Sequence, residues 1–384
     1  MSAIDLLFGP QHPALHEPEH FRFIIDGDVV VNVEPRLGYV HRGIERLFQE
    51  HSYVHNLYIS ERICGICNVA HTTCYVNVVE KVLGVDPPKR GKYLRVVINE
   101  LNRLHSHLLL LGVVAELLGF DTLFMLIWRD REAVMDMVEL MTGNRLLASY
   151  NAIGGVKRDI DEHVRSTILK GMDRLEERAK EYRKVFSEDP TVLERTQGVG
   201  ILRREDAIRY CVVGPVLRGS GIKSDVRIDD PYDAYGEIPF KAVVYRECDS
   251  WARFMVRADE VFESINIIRY ALRNLPEGDV RVVRPVRNVI PGEAVARVEA
   301  PRGELLYHLI SRGGPKPYRL KVRTPTLANI YAAAEMFKGN RVADIPVILG
   351  SIDPCFACMD RITLVDAETG KVVVKTGREL MEVK

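Results

Sequence analysis

Four of the seven cysteines stand in two Cys-x-x-Cys pairs near opposite ends of the chain. Cys64 and Cys67 lie in Glu61-Arg62-Ile63-Cys64-Gly65-Ile66-Cys67, closed by His71; Cys355 and Cys358 lie in Asp353-Pro354-Cys355-Phe356-Ala357-Cys358, with Arg361 beyond. Thiolates are soft donors that suit zinc, iron or nickel. Two such pairs complete a tetrahedral S4 zinc site or hold a four-thiolate cluster, whereas one pair alone would serve equally as a redox dithiol. Zinc ribbons pair their knuckles over much shorter stretches of chain. Arg62 and His71 flank the first pair, and Asp353 and Arg361 the second. Charged donors and acceptors around a soft metal orient its ligands and tune it. An inert zinc staple joining the two ends uses the same four thiols, and spacing alone leaves it open.

The other cysteines, Cys74, Cys211 and Cys248, are isolated and read as packing residues. Across the 384 residues Lys+Arg and Asp+Glu both number 53, so the formal net charge is zero and no nucleic-acid partner is expected. Hydrophobic residues make up 47% and charged residues 28%, an ordinary globular composition. The longest apolar run, Leu108 to Phe120, is broken by Glu116 and falls short of the roughly 20 residues that span a bilayer. The N-terminus lacks the basic start and apolar core of a signal peptide. The expectation is therefore a chain with no transmembrane segment or signal peptide, kept in the reducing cytoplasm, where paired cysteines point to metal or redox use.

The elements that must bring the two pairs together read as follows. Phe8 to Pro18 is a proline-punctuated loop containing His12, His16 and Glu17. Phe21–Ile25 and Val29–Glu34 flank Asp26-Gly27-Asp28 as a hairpin. A helix follows Gly38 to Glu45 and ends before the first pair. Leu94, Val97, Ile98, Leu101, Leu104 and Leu108 recur at helical steps, predicting central helices over 89–147. Residues 160–188 read as a solvated helix, 214–239 as loop, 243–274 as helix, 281–299 as strands, 301–304 as a turn and 326–338 as helix. The predicted fold is α+β and mainly helical: a central long-helix bundle with an N-terminal β-hairpin or sheet and small peripheral β elements. With no linker or repeat, residues 1–384 are expected to form one integrated unit.

Arg-x-Cys-Gly-x-Cys-x-x-x-His (Arg62 to His71) and Asp-Pro-Cys-x-x-Cys-x-x-Arg (Asp353 to Arg361) resemble the two signatures of nickel–iron (NiFe) hydrogenase large subunits. Gly-Pro-Gln-His-Pro from Gly9 and Gly-Tyr-Val-His-Arg-Gly-Ile-Glu from Gly38 are similar to the group 4, energy-converting membrane-bound type (Ech-like) and to the homologous 49 kDa-type subunit of respiratory complex I. The resemblance covers Phe8 to Arg361. It implies Cys64 and Cys355 as terminal nickel ligands, and Cys67 and Cys358 as bridges to an iron carrying CO and cyanide. It places Arg302, in Ala300-Pro301-Arg302-Gly303, over the metal and the cyanides, which suits an always-charged, multi-donor guanidinium. Glu17 falls where that hydrogenase type has a proton-relay glutamate, Glu45 matches a glutamate near the centre, and His71 would hydrogen-bond near a bridging sulfur.

The implied function is the catalytic large subunit of a membrane-bound energy-converting NiFe hydrogenase, interconverting protons and H2. The implied partners are a small subunit with a 4Fe–4S cluster, other hydrophilic subunits, ion-pumping membrane subunits, and ferredoxin as electron partner. No Fe–S cluster is expected in this chain, which would sit peripherally on the cytoplasmic face of the membrane. One alternative is a complex I-like subunit reducing quinone or another carrier without a NiFe centre. His16 matches the histidine that contacts the quinone there, with His12 in the same loop, while Gly65 replaces the quinone tyrosine. A zinc-stapled, non-catalytic scaffold is a second alternative. Residues 362–384 read either as a maturation tail or as a permanent structural hairpin.

Overall fold

Antiparallel pairing begins almost at once: β1 (Ile4–Phe8) joins β2 (His20–Asp26), which joins β3 (Val29–Arg36). A computed structural model of the chain describes residues 3–15, 17–282, 286–359, 361–366, 369 and 372–373. The turn between β2 and β3 relies on Gly27, whose φ is 63°, a left-handed value that costs glycine little. The hairpin read from the sequence is thus present, and β1 extends it to three strands. β1 escapes sequence reading because it is short and both Ile4 and Leu7 face outward, leaving no inward–outward alternation to see.

The helix expected before the first cysteine pair is two, α1 (Ile44–Glu50) and α2 (Tyr53–Glu61), because Ser52 starts a new helix by accepting the His55 backbone N–H. Next, α3 (Asn68–Leu83) starts directly after Cys67 and is buried along nearly its whole length. Buried all round, it carries no polar face from which a helical period could be read. The expected central helices are α4 (Lys89–Leu117) and α5 (Asp121–Thr142). A small hairpin, β4 (Asn151–Ala152) and β5 (Gly155–Val156), precedes α6 (Glu162–Glu188). That helix buries only Ile168, Met172, Leu175, Ala179, Tyr182 and Phe186, a stripe at steps of four and three with a solvated remainder.

Four short helices follow: α7 (Pro190–Thr196), α8 (Arg204–Arg209), α9 (Gly214–Arg218) and α10 (Val226–Asp229). The last two stand in the stretch read as loop. The helix expected over 243–274 is α11 (Ser250–Arg273), delayed until Asp249 caps it. Among the described residues the strands expected from Arg281 start, after isolated bridges at Arg281 and Val289, with β6 (Gly292–Ala300), which forms a meander with β7 (Gly303–Ser311) and β8 (Arg319–Arg323). Two short helices, α12 (Pro325–Asn329) and α13 (Ala333–Phe337), replace the single one expected, and α14 (Ile345–Ile352) leads into the second cysteine pair. Beyond Arg361, β9 (Leu364–Val365) pairs antiparallel with β10 (Val372–Val373), and Thr363 exchanges hydrogen bonds of 2.7 and 2.9 Å with Leu37. The rest of the anticipated tail, residues 367–368, 370–371 and 374–384, lies outside the described residues.

About half of the chain is helical, with small antiparallel sheets. α4 packs against α3, α5, α11 and α14, and α6 closes on α5 and α11. This core contains buried charge as well as hydrocarbon. Glu100 on α4 accepts hydrogen bonds from Arg103, Arg227, Tyr235 and Ser264, joining α4 to α10 and α11. Arg103 in turn donates to the Glu299 and Ala300 carbonyls at 2.6 and 3.2 Å, gripping β6 just before Arg302. Breaking one partner out of such a network leaves uncompensated buried charge, so Glu100→Gln is expected to lower unfolding free energy by about 3–5 kcal/mol in denaturant titration.

Candidate metal centre

The two cysteine pairs sit where helices end. Cys64 lies in the turn after α2, and Cys67 is the residue immediately before α3. On the other side, α14 stops at Asp353, whose φ of 57° turns the chain sharply. Pro354 then follows, and a single helical turn, Phe356–Cys358, presents the second pair. Because α3 and α14 both pack on α4, the start of α3 and the end of α14 face each other across the same core helix.

Here the sulfurs of Cys64, Cys67 and Cys358 all lie within 4.8 Å of one another. Cys355 joins this triangle from the side, its sulfur 3.3 Å from Cys64 and 3.0 Å from Cys358. All four thiols are buried. Hydrogen bonds from Cys355, Cys358 and Cys64 pull the Cys67 thiol well below its ordinary pKa, while burial and the same neighbours push Cys358 well above it. Four buried thiolates without counter-charge would be prohibitively costly, so these residues either keep protons or share a cation, and metal ions exchange directly with such protons. As a donor set the cluster fits a soft metal.

Arg302 reaches the cluster from the β6–β7 turn. Gly303 there has φ 127°, and a Cβ on it would stand 2.8 Å from Gly214 Cα, so the turn is pressed against the start of α9. The Arg302 guanidinium is held by Asp353, at 2.6 Å to a carboxylate oxygen and 2.8 Å to its carbonyl, and by Ser106 Oγ at 3.2 Å. Burial opposes its charge, but Asp353 and the Cys355, Cys67 and Cys64 sulfurs outweigh that and push its pKa up. Glu17 approaches from the loop between β1 and β2: one oxygen accepts the Ala357 N–H at 2.7 Å and the other lies 3.8 Å from Cys355 Sγ. His71 stands with Nε2 3.6 Å from Cys358 Sγ and Nδ1 2.8 Å from the Tyr307 hydroxyl. A cavity of about 50 Å³, lined mainly by Leu109, Leu110, Val113, Leu117 and Leu349, opens between Glu17, Arg302 and Cys355.

Other anticipated residues stand further back. Arg62 turns outward, with 55% of its side chain exposed, and pairs with Glu61; it does not pack round the sulfurs. The cause is α2, whose Tyr58 carbonyl and Glu61 carboxylate draw the guanidinium along the helix. Glu45 and Arg361 bind each other at 3.3 Å, and Glu45 also accepts from Arg319 and the Val322 N–H, so this pair ties α1 to β8 behind the site. His12 stacks on Phe8 at 3.8 Å and borders an open cavity of about 380 Å³ with Pro10, Gln11 and Glu17. His16 lies outside the described residues. Sequence reading misses Arg42, Ser106, Tyr307 and Glu19. Of these, Arg42 stands inside a motif; the others carry no local signal.

Two ends of one chain meeting in a buried thiol pocket, with a clamped arginine beside it, define a protein with the donors for a soft metal and with ionisable side chains around them. The family described as "Nickel-dependent hydrogenase" matches residues 42–170, and "Respiratory-chain NADH dehydrogenase, 49 Kd subunit" matches residues 118–289 and 281–361. The chain is 41% identical to the "Carbon monoxide-induced hydrogenase" of Rhodospirillum rubrum, over 94% of this chain and 100% of that protein. It is 38% identical to one of the subunits of the NADH-quinone oxidoreductase of Dehalococcoides mccartyi (strain ATCC BAA-2266 / KCTC 15142 / 195), over 93% of this chain and 98% of that protein. A chain of the "membrane-bound sulfane sulfur reductase (MBS), an archaeal respiratory membrane complex" superposes with TM-score 0.90 at 32% identity, covering 94% of this chain and 99% of the other. The chain belongs to the family that unites the large subunits of membrane-bound NiFe hydrogenases with the 49 kDa-type subunits of complex I.

Glu19, two residues after Glu17, is fully buried with one carboxylate oxygen lacking a partner among the described residues. Burial, opposed by the His20 N–H and reinforced by Glu17, pushes its pKa from 4.5 up to about 7. The folded protein therefore keeps a proton across that window which the unfolded chain has released, and stability falls as pH rises through it. Glu19→Gln should remove this fall. Denaturant unfolding at pH 5 and pH 8 checks it: the variant is expected to gain on the parent at the higher pH, and equal gains at both would refute the reading.

Proposed function

We propose that this chain is the catalytic large subunit of a membrane-bound, energy-converting NiFe hydrogenase, with reversible 2H⁺ + 2e⁻ ⇌ H2 as its reaction. The observation that carries this reading is the convergence of the four thiols on one another, with Cys355 among them lining a small apolar cavity beside Arg302 and Glu17. Cys64, Cys67, Cys355 and Cys358 would hold the nickel–iron centre, with CO and cyanide on iron, and that centre would supply the two-electron redox chemistry. Arg302, locked by Asp353 and Ser106, offers N–H donors to anionic groups without having to reorganise. His71 holds a hydrogen-bond contact to Cys358 and is itself oriented by Tyr307. Glu17 is the acid–base group beside the Cys355 sulfur, placed to receive a proton there and pass it outward through its loop. The cavity is small and mainly apolar, which suits a small nonpolar product beside Cys355.

Electrons would come from a partner. Cys74 is buried against the Ala296 and Leu305 carbonyls, Cys211 is on the surface and Cys248 is half-buried, and none of them joins a second thiol cluster among the described residues. The family resemblance implies a small subunit carrying a 4Fe–4S cluster and fed by ferredoxin. Among the described residues no helix is long and apolar enough to cross a membrane, so attachment to ion-pumping membrane subunits would run through other proteins, on the cytoplasmic face. Residues 1–384 are read as one unit, and the pairing beyond Arg361 favours a permanent hairpin over a discarded tail.

The complex I-like reading is supported by the match to the 49 kDa family and by the open cavity beside His12, but it has no use for four convergent thiols. Metal analysis of the intact complex separates the readings: nickel with iron is expected, zinc alone would support a scaffold, and no metal the carrier-reducing subunit. Cys355→Ser is expected to lose nickel and hydrogen evolution together, and full activity in that variant would overturn the metal assignment. Glu17→Gln keeps an acceptor for the Ala357 N–H but removes the ionisable group. It should retain nickel while H⁺/D₂ exchange collapses, and parent-like exchange would exclude Glu17 as the relay.

A further inference from the structure

We propose that Arg42 is the positioning residue of the metal centre, holding the two cysteine loops in register by their backbones. Its guanidinium donates to the Arg62 carbonyl at 3.0 Å, the Ile63 carbonyl at 2.7 Å and the Ala357 carbonyl at 2.8 Å. The first two acceptors precede Cys64, and the third directly precedes Cys358. One side chain thus touches both motifs, whose paired cysteines stand 291 residues apart in sequence. Ala357 is held through both of its backbone groups, since its N–H goes to Glu17 at 2.7 Å while its carbonyl accepts from Arg42.

The chemistry explains why the residue is an arginine. Arg62 ends α2, and the last carbonyls of a helix have no partner within it and carry its negative dipole end. A planar guanidinium presents several donors in a fixed fork, so it can satisfy two carbonyls at the end of α2 and reach a distant stretch of chain at once. A lysine ammonium, a compact point charge on a flexible stem, cannot hold three acceptors in one plane. Gly43, with φ 65°, turns the chain just after Arg42 into α1, leaving Arg42 at the surface. Among the described residues its guanidinium donors go to these three backbone carbonyls.

The proposal rests on the metal-site reading but not on nickel or hydrogen, so cobalt(II) alone serves as probe. Apo full-length chain is titrated with Co²⁺, and sulfur-to-cobalt charge-transfer absorption reports how many thiolates bind. The parent is expected to show four-thiolate intensity. Arg42→Met should fall towards the intensity of a single pair and weaken binding on the order of tenfold, because the loops are no longer preorganised. Arg42→Lys, which keeps the charge, should recover only part of this. Arg46→Met, on the exposed side of α1, should match the parent. Parent-like cobalt binding in a folded Arg42 variant would overturn the proposal, and so would loss of fold in both Arg42 variants with Arg46→Met intact, since the residue would then hold the fold rather than the site. A parent that binds no Co²⁺ would overturn the metal-site reading itself.

Discussion

Arg302 and Asp353 each expose only 4% of their side chains, and their charges meet at 2.6 Å. In such surroundings neither ion is tolerated alone, so the β6–β7 turn and the end of α14 must come together for either to be buried. That requirement places Cys355 and Cys358, which follow Asp353 closely, under the guanidinium. It also explains the unusual backbone at Asp353: with φ 57° the residue ends α14 and delivers both its side chain and its carbonyl to Arg302. The thiol pocket is then bounded on one side by a fixed positive charge before any metal is considered.

The same device recurs around the pocket. Arg42 holds the backbone of both cysteine loops, Arg361 holds Glu45 on α1, and Arg103 holds the backbone of β6 next to Arg302. Arginine suits this work because it stays charged when buried and spreads several donors over a plane. Loops that hold four sulfurs close together gain stiffness from guanidinium N–H bonds to backbone carbonyls, which do not depend on packing alone. Glu100 extends the principle into the core, where it couples α4 to α10 and α11. The geometry of the site is in this sense continuous with the charge pairing of the helix bundle.

Helical content is legible where helices are amphipathic or flanked by clear breaks. α4 and α6 show their periods openly, and the turn at Gly27 announces the first hairpin. α3 escapes because burial on all sides erases the period. The segment before β6 reads too readily as continuous strand: its described residues pair in isolated bridges, Arg281 with Gly155 and Val289 with Gly314, and a regular ladder starts at Gly292. β8 has five residues and pairs with a strand already in place, so nothing in its own composition demands it. Arg62 shows the limit for side chains: proximity in sequence to Cys64 does not decide which way it points, since the end of α2 offers closer acceptors.

Chemical identity and partial order are readable along the chain alone: two Cys-x-x-Cys pairs, the acidic loop with Glu17, Arg302 next to a glycine, and the family to which these motifs belong. Residue type and short-range spacing are enough for that, because donor softness and charge travel with the residue. Which groups face one another is settled by folding: Asp353 on Arg302, His71 between Cys358 and Tyr307, Glu17 on Ala357, and Arg42 across both loops. Those contacts join positions far apart along the chain, and the free energy that selects them comes from burying and pairing charges in a folded core. No local stretch contains that information. The first cysteine pair becomes part of a four-thiol pocket only when the helix ends of α3 and α14 are brought face to face.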